Sequence, residues 1–512
     1  MKKILVSLLL LVTMIFNVVA MASCGSTGSG EKPNVDDIIG ELDNAGYQVP
    51  EGGYDGSEVT ITFFHTMSAT KLQPTLDLYI KEFNKLYPNI TIEHSAPGGY
   101  DDVLDQIKTE IAAGNQPNIA YCYPDHVASY LVARSVVPLD NLINSKIEVT
   151  DAKGNKTVLG LTAEQIADFV PGYYAEGAVY DEKGTMYTLP LSKSTEALYY
   201  NKTFFDEHGL KVPTTWDEME ETIKKIKEID PDSIPLGYDS ESNWFITMCE
   251  QLDSGYTSLE VGKHFSFDNE ANRAFVKRFA QWYKNGWVTT EEQYGSYTSG
   301  LFTNTTPNET TGKIQRSYMV IGSTGGASYQ TPPEDNNGYS IFETAMATIP
   351  QVDENNRKVI SQGPSLCIFK KDNPQEVIAS WLFVKFLTTN VGFQSEFSMK
   401  SGYAPVIKSA QDNELYSEWL ETAQGKVTDG VDEEGNPIKI PANITALSVK
   451  LALSQSDAYY VSPAFNGSSE ARKQVGLIMI NVFASERTDV DQLIDEEFKK
   501  AMQECEYAAA GK

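Results

Sequence analysis

The chain has 512 residues, 41% of them hydrophobic and 22% charged, a mixture that supports a packed core and excludes wholesale disorder. The length suits two or three domains, or one large protein of two lobes. With 41 basic against 70 acidic side chains the formal charge is −29, which argues against nucleic acid as a partner but leaves room for a small anion held by local donors.

The N-terminus carries Lys2 and Lys3, an apolar run over 4–19 too short for a membrane span, and the small residues Ala22 and Ser23 ahead of Cys24. Residues 1–23 therefore read as a secretory signal. The sequence Met-Ala-Ser-Cys resembles the bacterial lipobox, with Met21 where Leu is usual. That resemblance implies a diacylated Cys24 as the new N-terminus, anchoring the protein by lipid alone to the outer face of the cell membrane. The alternative is an ordinary signal that leaves Cys24 free. Residues 24–57, rich in Gly, Ser, Pro and acids, form a tether to the folded body.

The body opens with a strand over 59–64, where Thr alternates with apolar residues, followed by a helix whose Leu72, Leu76, Ile80, Phe83 and Leu86 share one face and which ends before Pro88. A strand over 90–93, a helix marked by Val103, Ile107 and Ile111 that ends near Gly114, and a strand over 119–123 repeat the step. Alternation continues through strands over 186–189, 197–201, 318–321, 345–349 and 366–369 and a helix over 216–229, so the fold class is α/β. Asn373 caps a helix with Pro374 in its first turn and a wide apolar face, and further helices run over 475–484 and 493–502, the last with Thr488 and Asp489 as caps. Trp282, Trp287 and Trp381 fall in helical patterns and belong to the core. Two polar stretches look inserted: 145–160, a hairpin around Gly154-Asn155, and the acidic 421–440 with a Glu-Gly-Asn-Pro turn. Residues 290–311, rich in Ser, Thr, Asn and Tyr, read as a long loop or mobile flap.

Chemical motifs are mostly missing. Cys122, Cys249, Cys367 and Cys505 are far apart in or near apolar segments and read as buried free thiols rather than a disulfide framework. The five histidines, His65, His94, His126, His208 and His264, are too scattered for a helical zinc pair, which leaves only a metal site assembled from distant loops. No Walker loop, nucleophile elbow, zinc-protease motif or dinucleotide fingerprint is present. With 70 carboxylates a glycosidase pair is not recognisable by sequence. The chain thus reads as a non-enzyme with no cofactor and no metal.

The segments TFFHTMS (62–68), FNKLYPNITI, GGYDDVLDQIKTEIAAGNQPNIAYCYPDHVASYL, LPLSKSTEALYYNKTFFDEHGL, PTTWDEM, GSTGGASY and SGYAPV together resemble the extracellular solute-binding proteins of ABC importers, in their carbohydrate-binding branch. The resemblance covers most of the chain after residue 58. It implies two α/β lobes joined by a hinge, a ligand held between them, and delivery of that ligand to permease subunits by a monomeric binding protein. Within the branch the chain looks most similar to sn-glycerol-3-phosphate and glycerophosphodiester binders. Their cleft residues carry over by motif to Tyr100, Ser194, Ser323, Gly363, Tyr403 and Arg472. The family's acidic residue after the AYCY strand is displaced here: Pro124 takes its column and Asp125 follows, which weakens the polyol contact.

The chemistry of these residues is coherent. Ser194, Ser323, the Gly363 N–H and Arg472 offer neutral donors and one cation to a phosphate ester. Tyr100, Tyr123, Trp244, Tyr294 and Tyr403 offer aromatic faces to a sugar ring. His65 follows the first strand, where a cleft loop should start. Each residue has a plainer role available: Tyr100 and Asp125 at helix starts, Ser323 in a Gly-rich turn, His65 in a turn, Trp244 over a core edge, and Arg472 paired with an acid such as Glu470. The expected lobes are 58–195 with 322–362, and 198–320 with 366–505. The expected ligand is a small polyhydroxylated solute, a sugar or a glycerol-3-phosphate-like ester, with a neutral oligosaccharide as the variant reading. A secreted glycoside-processing enzyme and a surface adhesin are the readings from other classes.

Overall fold

A computed structural model describes residues 46–510 except 261, 336–339 and 432–436, so Cys24, the signal and the expected tether up to residue 45 lie outside the described residues. Residues 46–57, expected to continue that tether, instead pack on the first lobe through Tyr47, Val49 and Tyr54, and Gly53 O accepts from Gln375 Nε2. Ten strands make two sheets. In chain order they are β1 (Val59–Phe64), β2 (Ile90–Ser95), β3 (Ile119–Cys122), β4 (Thr188–Pro190) and β5 (Glu196–Asn201), then β6 (Leu236–Tyr238), β7 (Val288–Thr290), β8 (Met319–Ser323), β9 (Thr344–Ala347) and β10 (Ser365–Ile368). The first sheet runs β2-β1-β3-β10-β4 and the second β9-β5-β8-β6-β7. In each sheet three strands are parallel to their neighbours and the others join antiparallel: Phe63 lies beside Ile119 in the parallel part, and Ser365 opposes Cys122 across the antiparallel seam.

Apolar alternation explains β1. Val59, Ile61 and Phe63 face inward with the polar residues between them outward or half-buried. The helix Pro374–Thr389 covers this sheet, with Asn373 Oδ1 accepting the Gln375 N–H at 3.0 Å and Val377, Ile378, Trp381 and Leu382 buried. Beneath the second sheet, Glu241–Leu252, Glu270–Lys284, Ser468–Ala484 and Val490–Ala509 enclose a core built on Trp244, Phe279 and Phe498. The molecule is a two-lobed α/β protein. All four cysteines among the described residues are buried and free, and Trp282 and Trp381 are core residues. No helix among the described residues is long and apolar enough to cross a membrane.

Strand pairing redraws the expected lobe boundaries. β10, expected in the lobe built on 366–505, completes the first sheet between β3 and β4, and residues from 377 to 410 pack in the first core. β8 and β9, which fall partly or wholly within 322–362, belong to the second sheet. The periodicity locates a strand but says nothing about which sheet edge it joins after a long crossover. The stretch 290–311 also differs from a free flap. It starts with two short helices, Glu291–Tyr294 and Ser299–Phe302, and buried Thr298 pins it by donating from N–H and Oγ1 to Asp239 Oδ1 at 2.7 and 2.6 Å. The first polar insertion is the expected hairpin, Glu148–Thr150 against Lys156–Val158. The second pairs Lys426–Val431 with Pro437–Ile440, its turn outside the described residues.

The lobes meet at a hinge made of closely apposed strands. Ser194 N–H donates to Gln362 O at 2.7 Å and Gln362 N–H returns to Ser194 O at 3.0 Å, while Lys193 exchanges backbone bonds with Ala404 on its other side. Val359–Ile360 pairs in parallel with Tyr459–Tyr460 next to this crossing. Gly363 sits here with φ +103°, and a Cβ on it would lie 2.7 Å from Ser192 O and 2.9 Å from Lys193 Cα. Both the positive φ and the close backbone demand glycine. Gly363→Ala is expected to lower unfolding stability by about 2 kcal/mol or more, read as a fall in the urea midpoint.

Candidate functional site

The lobes and hinge enclose a cavity of about 70 Å³, whose lining includes Tyr123 and Asp125 from the end of β3, Tyr256 and Arg472 from the second lobe, and Gln362 and Tyr460 from the hinge. That volume holds only a few waters, at roughly 10–15 Å³ each. A pocket that holds a small-molecule ligand is larger, about 300 Å³ or more, so a ligand of that size would require the two walls to separate. The position outside the C-terminal end of β3 follows the rule for open α/β sheets.

Arg472 is the cation of this cavity. It stands on the first turns of Ser468–Ala484, partly buried, with Asp125 and the phenols of Tyr256, Tyr123 and Tyr460 around it. Burial pulls its guanidinium down and these neighbours pull it further up, so it remains charged. One Nη donates to Asn243 Oδ1. Asn243 Nδ2 in turn donates to Glu196 Oε1 and to Gln362 Oε1, both at 3.0 Å, and Tyr238 OH donates to Glu196 Oε2 at 2.7 Å. Glu196 opens β5 immediately after the hinge and is buried, which pushes its carboxyl from 4.5 up to about 7 against the pull of Tyr238, Asn243 and Arg472.

Beside the cavity lies a tyrosine cluster. Tyr100 stacks on Tyr123 with ring centroids 4.3 Å apart and planes 21° from parallel. Tyr100 is the first residue of Tyr100–Ala113, whose start is capped by Asp102 accepting the Gly99 N–H at 2.8 Å. The Tyr403 ring presses on Gly325, where a Cβ would meet Tyr403 Cε2 at 2.8 Å, so the glycines of GSTGG make room for it. Ser323 Oγ donates to Ser194 Oγ at 3.4 Å and accepts the Gly325 N–H at 3.1 Å.

Of the residues expected from sequence, Asp125 and Arg472 line the cavity, Tyr100 backs it through Tyr123, and Ser194, Ser323, Gly363 and Tyr403 gather along the hinge. Gly363 O accepts from Lys193 Nζ at 3.1 Å, and the residue's tight approach to Ser192–Ser194 serves the hinge. Two expectations are corrected. Trp244 is fully buried and stacks on Tyr238 at 4.6 Å and 10°, as a core residue of the second lobe. His65 continues the inward face of β1 and is fully buried; its Nδ1 accepts the Met67 N–H, so Nε2 donates to His94 Nδ1 at 2.9 Å, and His94 Nε2 donates to Asp77. Burial and His94 hold it down to about 3, hence neutral. Tyr294 is exposed outside the cavity lining. Sequence reasoning missed Glu196, Asn243, Tyr256, Gln362 and Tyr460. Glu196 lies two positions from Ser194 in the KSTEALYYNK segment and Asn243 follows the Ser240 cap of Glu241–Leu252, so both sat beside residues that had been singled out. No group of His, Cys, Asp and Glu able to hold a metal occurs among the described residues.

Comparison with known proteins gives concordant matches. A family model described as bacterial extracellular solute-binding protein matches residues 79–424. The multiple sugar-binding protein of Streptococcus mutans is 25% identical over 224 residues, 44% of this chain and 44% of its own length. The sn-glycerol-3-phosphate-binding periplasmic protein UgpB of Salmonella typhimurium is 27% identical over 171 residues, 33% of this chain and 35% of its own length. The chain thus spans less than half the length of these relatives. Among solved structures, a cyclic alpha-maltosyl-1,6-maltose binding protein from Arthrobacter globiformis matches 89% of this chain and all of its own at TM-score 0.62 and 16% identity. UgpB from Mycobacterium tuberculosis in complex with glycerophosphocholine matches 88% of this chain and 98% of its own at TM-score 0.64 and 16% identity. At that identity the likeness supports the fold.

The elevated Glu196 carboxyl fixes a pH dependence. The folded state keeps this proton up to about pH 7 while the unfolded chain releases it near 4.5, so stability falls as pH rises through that window. Glu291, also pushed up to about 7, acts in the same direction. Glu196→Gln should flatten this slope by on the order of 3 kcal/mol, checked by urea unfolding at pH 4.5 and 7.5.

Proposed function

Because the chain belongs to the bacterial extracellular solute-binding proteins, we propose that it captures a small polyhydroxylated solute between its lobes and delivers it to the permease of an ABC importer. It does so as a monomer without catalysis, held at the outer face of the membrane by a lipid on Cys24. The observation that carries the solute class is the composition of the cavity: one guanidinium, Arg472, balanced by Asp125 and surrounded by the phenols of Tyr123, Tyr256 and Tyr460. A sugar uses every part of that set. Its hydroxyls donate to the carboxylate, accept from the guanidinium and exchange with phenols, and its ring faces stack on tyrosine. Closure of the lobes removes water from these bonds and supplies the shape a permease recognises.

A second reading, a glycerol-3-phosphate-like ester, is favoured by Arg472 itself, a cation facing a cavity that also offers the hydroxyls of Tyr123, Tyr256 and Tyr460. Asp125 beside it opposes an anion, which is why the neutral sugar is preferred. The relatives named for sugars and for sn-glycerol-3-phosphate keep both solutes in view.

The test is the thermal midpoint of residues 25–512 with maltose, maltotriose, glycerol-3-phosphate and glycerophosphocholine. The sugar reading expects a rise of a few degrees with sugars only, and about a tenfold loss of that affinity in Arg472→Ala. A rise with phosphate esters only, lost in Arg472→Ala, moves the assignment to the ester. Four flat titrations overturn solute capture of either kind.

A further inference from the structure

We propose that Glu196 and Asn243 are positioning residues that hold the Arg472 guanidinium in the cavity and tie its orientation to the hinge. This rests on the reading of the cavity as the solute site. Neither residue touches the cavity space: both lie behind its wall, buried. Every polar side-chain atom of the two has a partner. Asn243 Oδ1 accepts from Arg472, Nδ2 donates to Glu196 Oε1 and Gln362 Oε1, and its backbone N–H donates to Ser240 Oγ at 3.2 Å. Glu196 accepts one bond on each oxygen, from Asn243 and from Tyr238.

This pattern fixes the direction of the amide. Above about pH 7, where Glu196 is ionised, its carboxylate accepts only, so the NH2 end of Asn243 must face it and the carbonyl end must face Arg472. The alternative orientation would set NH2 against guanidinium, two donors without an acceptor, inside a buried site. The charge at Glu196 therefore dictates what Arg472 sees. Gln362 adds the hinge: its side chain accepts from Asn243 while its backbone pairs with Ser194, so movement at the crossing reaches the amide that holds Arg472. Besides these groups the charged and titratable neighbours of Glu196 are Asp239, following β6, and Tyr460 at the hinge. Asp239 is of like charge and is committed to Thr298, so the one cation facing Glu196 in this set is Arg472.

A donor–acceptor exchange tests the relay. Glu196→Gln removes the acceptor-only group that fixes the Asn243 amide, because its own amide can present either Oε1 or NH2 and so leaves the Asn243 carbonyl free to turn away from Arg472. Adding Asn243→Asp restores an acceptor for both the new NH2 and Arg472. Labelling of arginines by phenylglyoxal at pH 8, read by peptide mass spectrometry, reports the freedom of the Arg472 guanidinium without any solute, with Arg487 and Arg357 as internal controls. Glu196→Gln should raise Arg472 labelling at least fivefold, and the double variant should return to within twofold of the wild type. Maltotriose and glycerol-3-phosphate serve as binding probes. Whichever the wild type binds should bind about tenfold more weakly to the single variant and recover in the double. Labelling at the wild-type rate in Glu196→Gln, or no recovery in the double variant, overturns the relay. Faster labelling with unchanged affinity for a probe that binds the wild type overturns its role in capture. If neither probe binds the wild type, capture of these solutes fails as a reading while labelling still decides the relay. Should Glu196→Gln not fold, Asn243→Ala decides by the same labelling, an unchanged rate overturning the proposal.

Discussion

A buried ion pair at the crossing between the lobes underlies the architecture. Lys193 and Glu176 are 0% and 2% exposed, and their side chains join in a short contact. Two charges withdrawn from water are costly unless every donor and acceptor finds a partner. Here they do: Lys193 Nζ also donates to Gly363 O and Ser365 Oγ, and Ser361 Oγ donates to Glu176 Oε2 at 3.2 Å. Removing one partner of such a pair leaves the other stranded, at a cost of about 3–5 kcal/mol. The pair fastens the outgoing strand at 193 to the returning strand at 361–365, and Glu176 is also part of the cavity lining. The floor of the cleft is thereby closely specified by its hydrogen bonds, and Gly363 is the backbone concession that lets the strands come close enough.

From that floor the two walls differ in character. The first lobe brings stacked tyrosines and Asp125; the second brings Arg472 and the amide and carboxylate behind it. The overall charge of −29 would disfavour any anion at long range, yet the cavity itself is nearly balanced. Long-range field and local recognition are separate matters, because water screens exposed carboxylates over roughly 8–10 Å while the cavity groups interact at contact.

Strands and helices were largely legible from periodicity, because 59–64, 216–229 and the helix after Asn373 have buried faces that repeat at the period of their element. Sheet membership was not. Nothing in the residues of β10 says that it slots between β3 and β4, since a two-face-buried strand is apolar wherever it lies. His65 could have been read correctly: it has the parity of Val59, Ile61 and Phe63 and so points inward. Trp244 sits in a helix buried almost all round, which a ligand-facing aromatic would not need. In the cleft, motif resemblance delivered the residues that face the hinge and missed Glu196 and Asn243. Their role comes from a hydrogen-bond chain joining residues 196, 243, 362 and 472, and such separations leave no local pattern.

The antiparallel insertion of β10 also bears on when the protein can fold. The first sheet has β3 and β4 separated by a strand from residues 365–368, and the helix that covers it ends at Thr389. Until about three-quarters of the polypeptide exists, the first sheet lacks the strand between β3 and β4 and the helix that covers it, and the facing edges of β3 and β4 stay unpaired. The first lobe is therefore completed from its last third inward: the same late-arriving segment supplies both the missing edge partner of β3 and β4 and the apolar cover over the sheet.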